Sequence, residues 1–597
     1  MQLTNNKLPK SIIKSREINK VVLKDLVGQG FPDWLAIVLS SRLDNSISKD
    51  KLYSDDLASI EDPSSIPDMD KAVKRIVQAI LNKERVVFAC DHDMDGTGSA
   101  AVLWTAFTEN FGVDPTLLSV ITSHRLTEGY GITLPVVDRI LATNCKLVIS
   151  ADKGSSDEPR IKILSEHGID VIVTDHHEIG EDGPPKSAFA VVNPIREEST
   201  YDKHICGAAV AFLTMAKVRS ALIETVDGLK IPSLASLLDY VAVATIADCV
   251  SMKPTKSHAN RTFVKRGLQL INRGSRACWK VFCEDNQGPV DADTIGFKLA
   301  PAVAAAGRLD WAEAGFKFLI CKTTTEAKSH WLHLQEENSK RKDIEKRLRE
   351  KAFAEASEKE GQSIVIFLED GHSGVHGITA SRIVESFGKP AGIFSPKGLG
   401  SKDNDAIGKS KIASGSFRGV PGLHVRNALA DVNEMQPGLL IGFGGHHGAA
   451  GASILISEFE NFIVLYEKAV NKQLGDRNLY PEIYEDGEIP NHLSYYELLE
   501  ELEKLEPWGR DFPYPTFIGT FEIKSIKSLG DGTHLKFTFV NGNDPIDAIW
   551  FNVTQEERDF IQMGGKYTFL YKVKSNWYRE RKKIQLQIVE RYEENNK

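Results

Sequence analysis

Three aspartates stand at alternate positions directly after an apolar segment of the chain. The segment RVVFAC covers residues 85–90, and Asp91, Asp93 and Asp95 follow it in the sequence DHDMDG. A short apolar run of this kind predicts a buried strand, and open α/β sheets bind ligands at the carboxyl ends of such strands. Three carboxylates this close repel one another unless a cation compensates their charge. Mg²⁺ and Mn²⁺ prefer oxygen ligands, and Mn²⁺ also accepts imidazole, so the spacing predicts a site for such ions.

Further acidic and histidine clusters repeat this theme later in the chain. KLVIS leads to Asp152, DVIVT leads to Asp175, His176 and His177, and VAVATIA leads to Asp248. Any one cluster is also compatible with a surface turn, where Asp and Gly are common. Together and in this order, they predict two divalent ions bound along one edge of a sheet. Two ions ~3.5–4 Å apart suit the hydrolysis of phosphate esters, because they activate water and stabilise both oxygens of an in-line displacement.

The pattern of elements predicts an α/β protein of several domains. Strands alternate with helices after residue 70, which is typical of a parallel sheet covered on both faces. The predicted segments are an N-terminal helical extension (1–70, with a helical pattern at 21–43), an α/β domain (71–325), a long helix (326–360), a second α/β domain (361–475), an acidic linker with a helix (476–515) and a small barrel or sandwich of five short strands (516–597). The long helix, up to ~50 Å at 1.5 Å per residue, either bridges two domains or packs along one of them.

Composition excludes several classes of protein. The 597 residues carry a net charge of −9, which argues against a protein that coats DNA over its whole surface but leaves room for local basic grooves. No stretch approaches the ~20 apolar residues of a membrane span, and the N-terminus lacks the apolar core of a signal peptide. The seven cysteines form no CxxC pair, which predicts a reduced cytoplasmic protein without a Cys-type zinc site. Gly408-Lys409-Ser410 lacks the earlier glycine of a P-loop, so we predict no ATP hydrolysis.

Two regions have the composition of a nucleic-acid-binding surface. Residues 566–592 hold eight basic and two acidic residues, interleaved with Tyr567, Phe569, Tyr571, Trp577 and Tyr578. Aromatic rings beside a basic groove stack on single-stranded bases, although we expect about half of these rings to form the core of the barrel instead. Residues 397–426 are basic and rich in glycine. This composition predicts a mobile loop over a cleft between the two α/β domains.

The chain resembles a known family over most of its length. FACDHDMDG, SADKG, VTDHH and ATIADCV are similar, in order, to the four motifs of the DHH phosphoesterase superfamily. Further segments resemble the RecJ family of single-strand-specific DNA exonucleases: HRLTEGYGI (124–132), VVNP (191–194), CGAAVAF (206–212), AAGRLD (305–310), GVHGITASR (374–382), SGSFR (414–418), GFGGHHGAAG (442–451) and LEPWGRDFPYPTF (505–517). The resemblance implies that 71–325 is the DHH catalytic domain, 361–475 a DHH-associated (DHHA1-like) domain and 516–597 an OB-fold.

The resemblance also implies a role for individual residues. The two metal ions would be held by Asp91, Asp93, Asp95, Asp152, His176 and Asp248. The catalytic residues would be Asp95 and Asp152, which contact both ions, and His177, which faces the scissile phosphate. Asp175 would orient the histidine pair. The terminal 5′-phosphate would be bound by Arg308, Ser416 and Arg418, and the DNA strand by Arg125, Tyr130, Arg382 and His446. The aromatic and basic pattern of residues 566–592, rather than the resemblance, adds Trp577 to these DNA contacts.

The sequence departs from the family pattern at a few positions. Where the family usually reads Pro-Arg-Leu-Asn-Ala-Ala-Gly-Arg, this chain has Ala302 and Ala304 in place of the Arg and the Asn, which puts contacts beside the terminal phosphate in question. Gly371 stands where a Trp is usual, and Lys153 where a small or polar residue is commoner. No metal ligand is missing, so we expect activity, with an altered preference for substrate length or end.

The resemblance therefore implies a metal-dependent 5′→3′ exonuclease that hydrolyses phosphodiester bonds of single-stranded DNA in recombination and repair. Its cofactors would be two Mn²⁺ or Mg²⁺ ions, and its partners a helicase and a single-strand-binding protein. One alternative is a DHH phosphodiesterase acting on short oligonucleotides or cyclic dinucleotides, against which the OB-like tail argues. Another is a non-catalytic single-strand-binding scaffold, which has no chemical need for so many clustered carboxylates.

Overall fold

The computed structural model describes residues 8–180, 182–309, 311–398, 411–530, 532–540, 545–578 (only the backbone of Tyr578) and 581–593. The chain begins with β1 (Ile12–Ser15), α1 (Lys20–Gly28), α2 (Asp33–Ser40) and α3 (Lys49–Tyr53). The helical pattern at 21–43 is thus two helices rather than one. The chain breaks between them because Gly30 adopts a φ of +79° and Pro32 lies directly before α2.

The first α/β domain is built on a five-stranded parallel sheet in the order β3-β2-β4-β5-β6. Its strands are β2 (Val86–Cys90), β3 (Leu118–Thr122), β4 (Leu147–Ala151), β5 (Asp170–Thr174) and β6 (Ala190–Val192). Its helices are α4 (Met69–Leu81), α5 (Met94–Thr105), α6 (Leu134–Leu141), α7 (Glu158–Glu166), α8 (Gly207–Thr225), α9 (Leu238–Ala247), α10 (His258–Asn272), α11 (Ala277–Glu284), α12 (Ala292–Thr294), α13 (Ala300–Leu309) and α14 (Glu313–Ile320). Side chains of β2 alternate between two hydrophobic cores, with Phe88 in one and Val87 in the other, because both faces of the sheet are covered. The predicted parallel sheet is confirmed.

The long helix α15 (Thr324–Ala356) has 33 residues, about 50 Å at 1.5 Å per residue. Thr323 and Glu326 form a reciprocal capping box at its start. Its first turns bury Ala327 and Trp331 in the core of the first domain, and its last turns bury Leu348 and Ala352 in the core of the second. The helix therefore bridges the two domains and does not pack along only one of them.

Trp331 anchors the long helix to the first domain, and we expect Trp331→Ala to destabilise that domain by about 3–5 kcal/mol. The indole packs between Phe282 and Phe318, with ring centroids 5.2 and 5.5 Å away, and its N–H donates to Asp285 at 3.1 Å. Urea denaturation followed by fluorescence measures the loss. The matched control is Leu332→Ala, because Leu332 is 59% exposed and its truncation should change stability by at most about 0.5 kcal/mol. Equal effects of the two substitutions would contradict this packing.

The second α/β domain has a mixed sheet in the order β10-β11-β9-β8-β7. Its elements are β7 (Ile364–Phe367), α16 (Ser373–Phe387), β8 (Ala391–Pro396), β9 (Ile412–Arg418), α17 (Val425–Met435), β10 (Leu440–Gly445), β11 (Ala449–Leu455) and α18 (Phe459–Leu474). Strands β7 and β8 are parallel and the other pairs are antiparallel.

The C-terminal strands close into a five-stranded barrel in the order β13-β14-β15-β17-β16. After β12 (Glu482–Glu485) and α19 (Tyr495–Lys504), the elements are β13 (Phe517–Leu529), β14 (His534–Val540), β15 (Ile546–Trp550), α20 (Gln555–Phe560), β16 (Lys566–Tyr578) and β17 (Arg581–Arg591). The predicted barrel is confirmed. Phe569 and Tyr571 are buried in its core, whereas Tyr567 and Trp577 are only partly buried.

The barrel shares one hydrophobic core with the N-terminal helices and the acidic segment before it. Leu26 and Leu35 of the N-terminal helices, Leu498 of α19 and Phe537 of the barrel all belong to this core. The strands β1 and β12 also pair in parallel, a contact that no local sequence pattern predicts. The boundaries between the six predicted segments stay a prediction. Within the described part of the chain, none of the helices is long and apolar enough to span a bilayer.

Candidate active site

Three of the predicted site residues lie side by side because their strands are in register. Cys90 of β2 pairs with Ala151 of β4, and Ala151 pairs with Thr174 of β5. The next residue along each strand is therefore Asp91, Asp152 or Asp175. Ladder hydrogen bonds continue one residue further, from Asp91 N to Ala151 O (3.3 Å) and from Asp152 N to Thr174 O (3.0 Å). The carboxyl edge of the sheet thus gathers acids that lie far apart in sequence.

The other two aspartates of DHDMDG belong to the start of α5. Asp93 is the N-cap of this helix, and its Oδ1 accepts the N–H groups of Asp95 (2.9 Å) and Gly96 (3.1 Å). Asp95 lies in the first turn, and its two oxygens accept the N–H groups of Gly207 and Ala208, both at 2.7 Å. These donors are the first residues of α8, so a helix N-terminus holds the Asp95 carboxylate in place.

Gly207 allows α8 to approach the site, and we expect Gly207→Ala to reduce activity and metal affinity severely. A Cβ at this position would lie 2.7 Å from Cβ and 2.8 Å from Oδ1 of Asp152. Either α8 or Asp152 must then move, and a shift of about 1 Å at a reacting centre costs roughly 100-fold in rate. Mn²⁺ titration calorimetry and strand cleavage measure both effects. Gly228→Ala is a poor control because Gly228 has a positive φ, whereas Gly28→Ala is suitable, since Gly28 has no atom within 4 Å of the added carbon. Unchanged metal affinity in the Gly207 variant would contradict this reasoning.

Both carboxylate oxygens of Asp175 accept hydrogen bonds, and those from His176 and His177 orient the histidine pair. Its Oδ1 accepts the backbone N–H of His176 (2.7 Å) and Nδ1–H of His177 (2.8 Å), and its Oδ2 accepts Ser155 N–H (3.0 Å). Burial opposes its ionisation, but these bonds and the nearby His177 hold the pKa of Asp175 below its usual range. A carboxylate saturated in this way suits the predicted orienting role better than that of a metal ligand.

His176 presents a nitrogen to three carboxylates. Its Nε2 lies 3.2 Å from Asp152 Oδ1, 3.5 Å from Asp95 Oδ2 and 3.7 Å from Asp248 Oδ2. Asp248 reaches the site from the C-terminal end of α9, not from a strand. Burial, reinforced by His177, lowers the pKa of His176 to about 3, which keeps the imidazole neutral as a metal ligand must be.

The donors of this cluster fit two divalent ions. Ligand atoms within 4.8 Å of one another form overlapping groups, among them Asp95, His176 and Asp248, and Asp91, Asp93 and Asp152. Asp152 Oδ1 and His176 Nε2 are buried, and although they lie 3.2 Å apart, neither makes a hydrogen bond of acceptable geometry among the described residues. Such orphaned atoms are costly unless something coordinates them. Oxygen donors with one imidazole are the set that Mn²⁺ accepts and that Mg²⁺ accepts in part.

The electrostatics of the cluster favour the binding of cations. Burial raises the pKa of Asp95 to about 6, and Asp93 adds to the effect. Burial and the neighbouring Asp95 also raise the pKa values of Asp152 and Asp248 well above the usual range. Each ionised carboxylate is therefore unfavourable in the protein alone, and bound cations would reverse that cost.

His177 lies beside the cluster and is contacted from both domains. Burial disfavours its charged form, but the hydrogen bond and the charge of Asp175 outweigh this and raise the pKa of His177 to about 9. The Tyr130 hydroxyl lies 3.1 Å from its Nδ1 and donates to the Asp152 carbonyl at 3.3 Å. The ring of His446, which follows β10 of the second domain, lies 5.4 Å from the His177 ring. The two domains therefore meet at the predicted catalytic histidine.

Next to the acids lies a cluster of arginines. Arg308 lies in the last turn of α13, where the preceding Gly307 approaches the DHDMDG loop so closely that a Cβ on it would lie 2.5 Å from His92 O. Burial, then Arg125 and Arg341, lower the pKa of Arg308 to about 9, and Arg418 contributes in the same direction. Among the described residues no carboxylate lies within 4 Å of the guanidinium groups of Arg125, Arg308 or Arg418. Cations gathered without a counter-ion form a site for an anion such as phosphate.

Ser416 and Arg418 reach this cluster from β9 of the second domain. They are two residues apart on a strand, so their side chains project from the same face of the sheet. The Arg418 guanidinium lies against α16, where a Cβ on Gly377 would lie 2.6 Å from Nη2. The arginine cluster is thus built from both domains, as the acidic cluster and His446 are.

Two of the predicted DNA contacts lie elsewhere in the fold. Arg382 is exposed on α16, and its guanidinium pairs with Glu385 at 2.8 Å. Trp577 lies on the tip of the β16–β17 hairpin, where its ring packs against Gly288 of the first domain. Neither residue joins the site, so their contact with DNA stays a prediction. Residues 399–410, which include Gly408–Ser410 and part of the predicted basic loop, lie outside the described residues.

Sequence reasoning missed residues that position the predicted ones. His92 Nδ1 lies 3.1 Å from Asp91 Oδ1, and Arg125 Nη1 donates to His92 Nε2 at 3.2 Å, so this imidazole links the acids to the arginines. Arg341 of α15 is buried, and its Nη2 donates to Asn338 at 2.5 Å. At the departures from the family pattern, Ala302 is buried in the core, and even a Cβ on Gly371 would lie 2.6 Å from Ser395 Cβ. The position of His92 within DHDMDG was a usable signal, whereas Arg341 lay unmarked in a charged helix.

Three family models match consecutive parts of the chain. The N-terminal domain of the DHH family matches residues 85–245, the DHHA1 domain matches 360–472 and the RecJ OB domain matches 485–590. A parallel sheet with acids and a histidine pair at its carboxyl edge, facing a second α/β domain, thus defines a protein of the DHH family.

Individual relatives narrow the family further. The chain is 32% identical to the single-stranded-DNA-specific exonuclease RecJ of Dickeya dadantii over 81% of its own length and 83% of the relative's. It is 31% identical to the protein of the same name from Haemophilus influenzae, over 89% and 92% of the two chains. The crystal structure of RecJ from Thermus thermophilus in complex with Mn²⁺ has the same fold, with a TM-score of 0.77 at 23% identity over 98% of this chain and 80% of that one. The chain belongs to the RecJ family.

Proposed function

We propose that this protein is a metal-dependent exonuclease that removes nucleotides from the 5′ end of single-stranded DNA. The observation that carries the proposal is the pairing of two clusters in one cleft. A carboxylate–histidine cluster that fits two divalent ions lies beside a cluster of arginines without counter-ions among the described residues. The first suits phosphodiester hydrolysis and the second suits a terminal phosphate. The names of the relatives, single-stranded-DNA-specific exonucleases, support the same substrate.

In this proposal the two ions would be held by Asp91, Asp93, Asp95, Asp152, His176 and Asp248. When bound, they supply activation of water and neutralisation of the charge that develops on the phosphoryl oxygens. Asp175 holds His177 through Nδ1–H, which leaves Nε2 available to the scissile phosphate. The hydrogen bond to Asp175 favours the protonated imidazole, whose Nε2–H would donate to a phosphoryl or leaving oxygen.

The proposed 5′→3′ direction of cleavage follows from the position of the arginines. Gly307 packs on the His92 carbonyl, which places Arg308 directly beside the loop that carries the metal ligands. A strand whose terminal 5′-phosphate is bound by Arg308, Ser416 and Arg418 would present a phosphodiester close to its end to the metal cluster. Cleavage would then proceed from the 5′ end, with Arg125, Tyr130 and His446 in contact with the same strand.

The partners and the compartment rest on the family relationship and on the chemistry of the chain. A helicase and a single-strand-binding protein would supply and protect the single-stranded substrate. A reducing, cytoplasmic compartment agrees with seven free cysteines. The enzyme would act in DNA recombination and repair.

A panel of substrates tests the proposed function. Purified protein with Mn²⁺ should degrade a 5′-phosphorylated DNA single strand and leave the matched blunt duplex and an RNA strand of the same sequence largely intact. Excess EDTA should abolish cleavage, and Mn²⁺ or Mg²⁺ in excess should restore it. Preference for RNA of two to five nucleotides or for cyclic dinucleotides would overturn the proposal in favour of an oligonucleotide phosphodiesterase. Tight strand binding without cleavage under any metal would overturn it in favour of a scaffold.

A further inference from the structure

A tight turn from the segment before the barrel reaches the metal site. Gly509 and Phe512 exchange backbone hydrogen bonds of 2.9 and 3.1 Å, and Asp511 between them adopts a φ of 62°. Arg510 occupies the tip of this turn. The turn therefore presents one arginine at a defined position.

Buried Arg261 clamps the base of the turn. Its guanidinium donates to the carbonyls of Pro507 (2.7 Å) and Leu505 (2.8 Å) and lies 5.0 Å above the ring of Phe512. The Trp508 ring stacks on that of Phe512, with the two ring centroids 4.6 Å apart. So many fixed contacts limit the freedom of the backbone that carries Arg510.

The turn is pinned to the loop that follows Asp248. Met252 N donates to the carbonyl of Arg510 at 2.9 Å, and Gly509 lies so close to Met252 that an added Cβ would be 2.8 Å from its Cγ. Asp511 is paired with Lys256 of the same loop at 3.0 Å. Asp248 is only four residues before Met252, and the positive charge of Arg510 acts to lower the pKa of Asp248, so Arg510 lies within electrostatic range of one of the proposed metal ligands.

The Arg510 side chain is exposed, and none of the described carboxylates lies within 4 Å of it. The neighbouring Asp511 already forms an ion pair with Lys256. The positive charge of Arg510 acts to lower the pKa of Asp248. An arginine fixed beside an acidic cluster yet left without an ion-pair partner in the described chain has its five donors available for a ligand of negative charge.

We propose that Arg510 is a phosphate-binding residue of the active site, which holds one backbone phosphate of the DNA strand between the metal cluster and the barrel. The proposal rests on the proposed function and adds a contact from the segment that leads into the barrel. The strand would pass the turn on its way from the metals to the barrel, and the guanidinium would bind one phosphate bidentately. Arg510 would thus couple the position of the barrel to that of the scissile bond.

Steady-state kinetics with a scan of neutral phosphates tests this contact. Arg510→Ala should raise KM for a DNA single strand about 10- to 100-fold, the range for a hydrogen bond to a charged group, with a much smaller change in kcat. Strands carrying a single methylphosphonate at successive positions locate the phosphate. At one position the neutral linkage should weaken the wild type but not Arg510→Ala, and Arg510→Lys should retain part of the affinity. Arg273→Ala is the matched control, because this exposed arginine caps the C-terminus of α10, roughly 20 Å along the helix, at 1.5 Å per residue, from the end that holds the turn through Arg261.

Three results would overturn the contact. One is an unchanged KM in Arg510→Ala. A second is an increase of KM in Arg510→Ala that is the same whichever position of the strand carries the methylphosphonate. The third is weaker Mn²⁺ binding by calorimetry without DNA, which would make Arg510 a structural counter-ion. Failure of the proposed function is a separate result: the wild type itself would not cleave DNA. Strand binding in Ca²⁺ then still tests Arg510 by the same comparison.

Discussion

We expect Asp152→Asn to reduce strand cleavage by at least about 10³-fold, which corresponds to about 4 kcal/mol of transition-state stabilisation. Asp152 is the carboxylate on which the ligand groups converge, next to Asp91 and Asp93 on one side and His176 on the other. An amide keeps the shape of the side chain but is a poor ligand for hard cations. Cleavage assays and Mn²⁺ titration calorimetry should therefore fall together.

The same substitution should stabilise the metal-free protein. Burial and the neighbouring acids raise the pKa of Asp152 well above its usual range, so at neutral pH the ionised carboxylate opposes folding. Asn removes that cost, so Tm without metal should rise while the increase of Tm on adding Mn²⁺ should shrink. Asp138→Asn removes the same charge from the exposed face of α6 and should change neither quantity. A metal-free Asp152→Asn protein that is less stable than the wild type would contradict the electrostatic account.

Arg308→Ala should remove most of the preference for a 5′-phosphorylated end. We expect kcat/KM on a 5′-phosphorylated strand to fall about 100-fold, or about 2.7 kcal/mol, and that on a 5′-hydroxyl strand to fall much less. The reason is that Arg308 is partly buried close to other arginines, with no carboxylate within 4 Å among the described residues, so a phosphate is a suitable partner for it. The ratio of the two kcat/KM values measures the contribution of the terminal phosphate separately from that of the rest of the strand.

Arg382→Ala provides the comparison for this prediction. Arg382 is already paired with Glu385 on the surface of α16, so its loss should change the same ratio less than about 3-fold. Equal losses on phosphorylated and hydroxyl ends in Arg308→Ala would show that Arg308 binds the strand elsewhere. A large effect of Arg382→Ala on the ratio would place the terminal phosphate further along α16 than we propose.

Much of the site followed from sequence because of one geometric rule. Apolar runs end at the same edge of a parallel sheet, so Asp91, Asp152 and Asp175 could be expected together from the sequence alone. The barrel and the long helix were also predictable, since alternation and the absence of Gly and Pro are local properties. Arg382 was predicted from the resemblance and Trp577 from the aromatic and basic composition of its segment. In the structure Arg382 forms an ion pair with Glu385, and Trp577 packs against Gly288.

The remaining features depend on contacts between distant residues. The N-terminus of α8 holds Asp95 across more than 100 residues of sequence, as in the hydrogen bond from Gly207 N. Arg261 clamps the turn before the barrel from a helix of the first domain. No local pattern marks such pairs, because each residue alone resembles an ordinary helix start or a surface cation.

We propose above all that a DNA strand is bound at its 5′ end and hydrolysed at the metal cluster. The most direct measurement is a time course of digestion of a 5′-phosphorylated DNA single strand labelled at its 3′ end, with Mn²⁺, resolved at single-nucleotide length. The account predicts a stepwise ladder of shortening 3′-labelled products, absent for the matched duplex and for the Asp93→Ala/Asp95→Ala protein. Immediate release of the 3′-terminal label as a mononucleotide, or an equally fast ladder from the double variant, would contradict it.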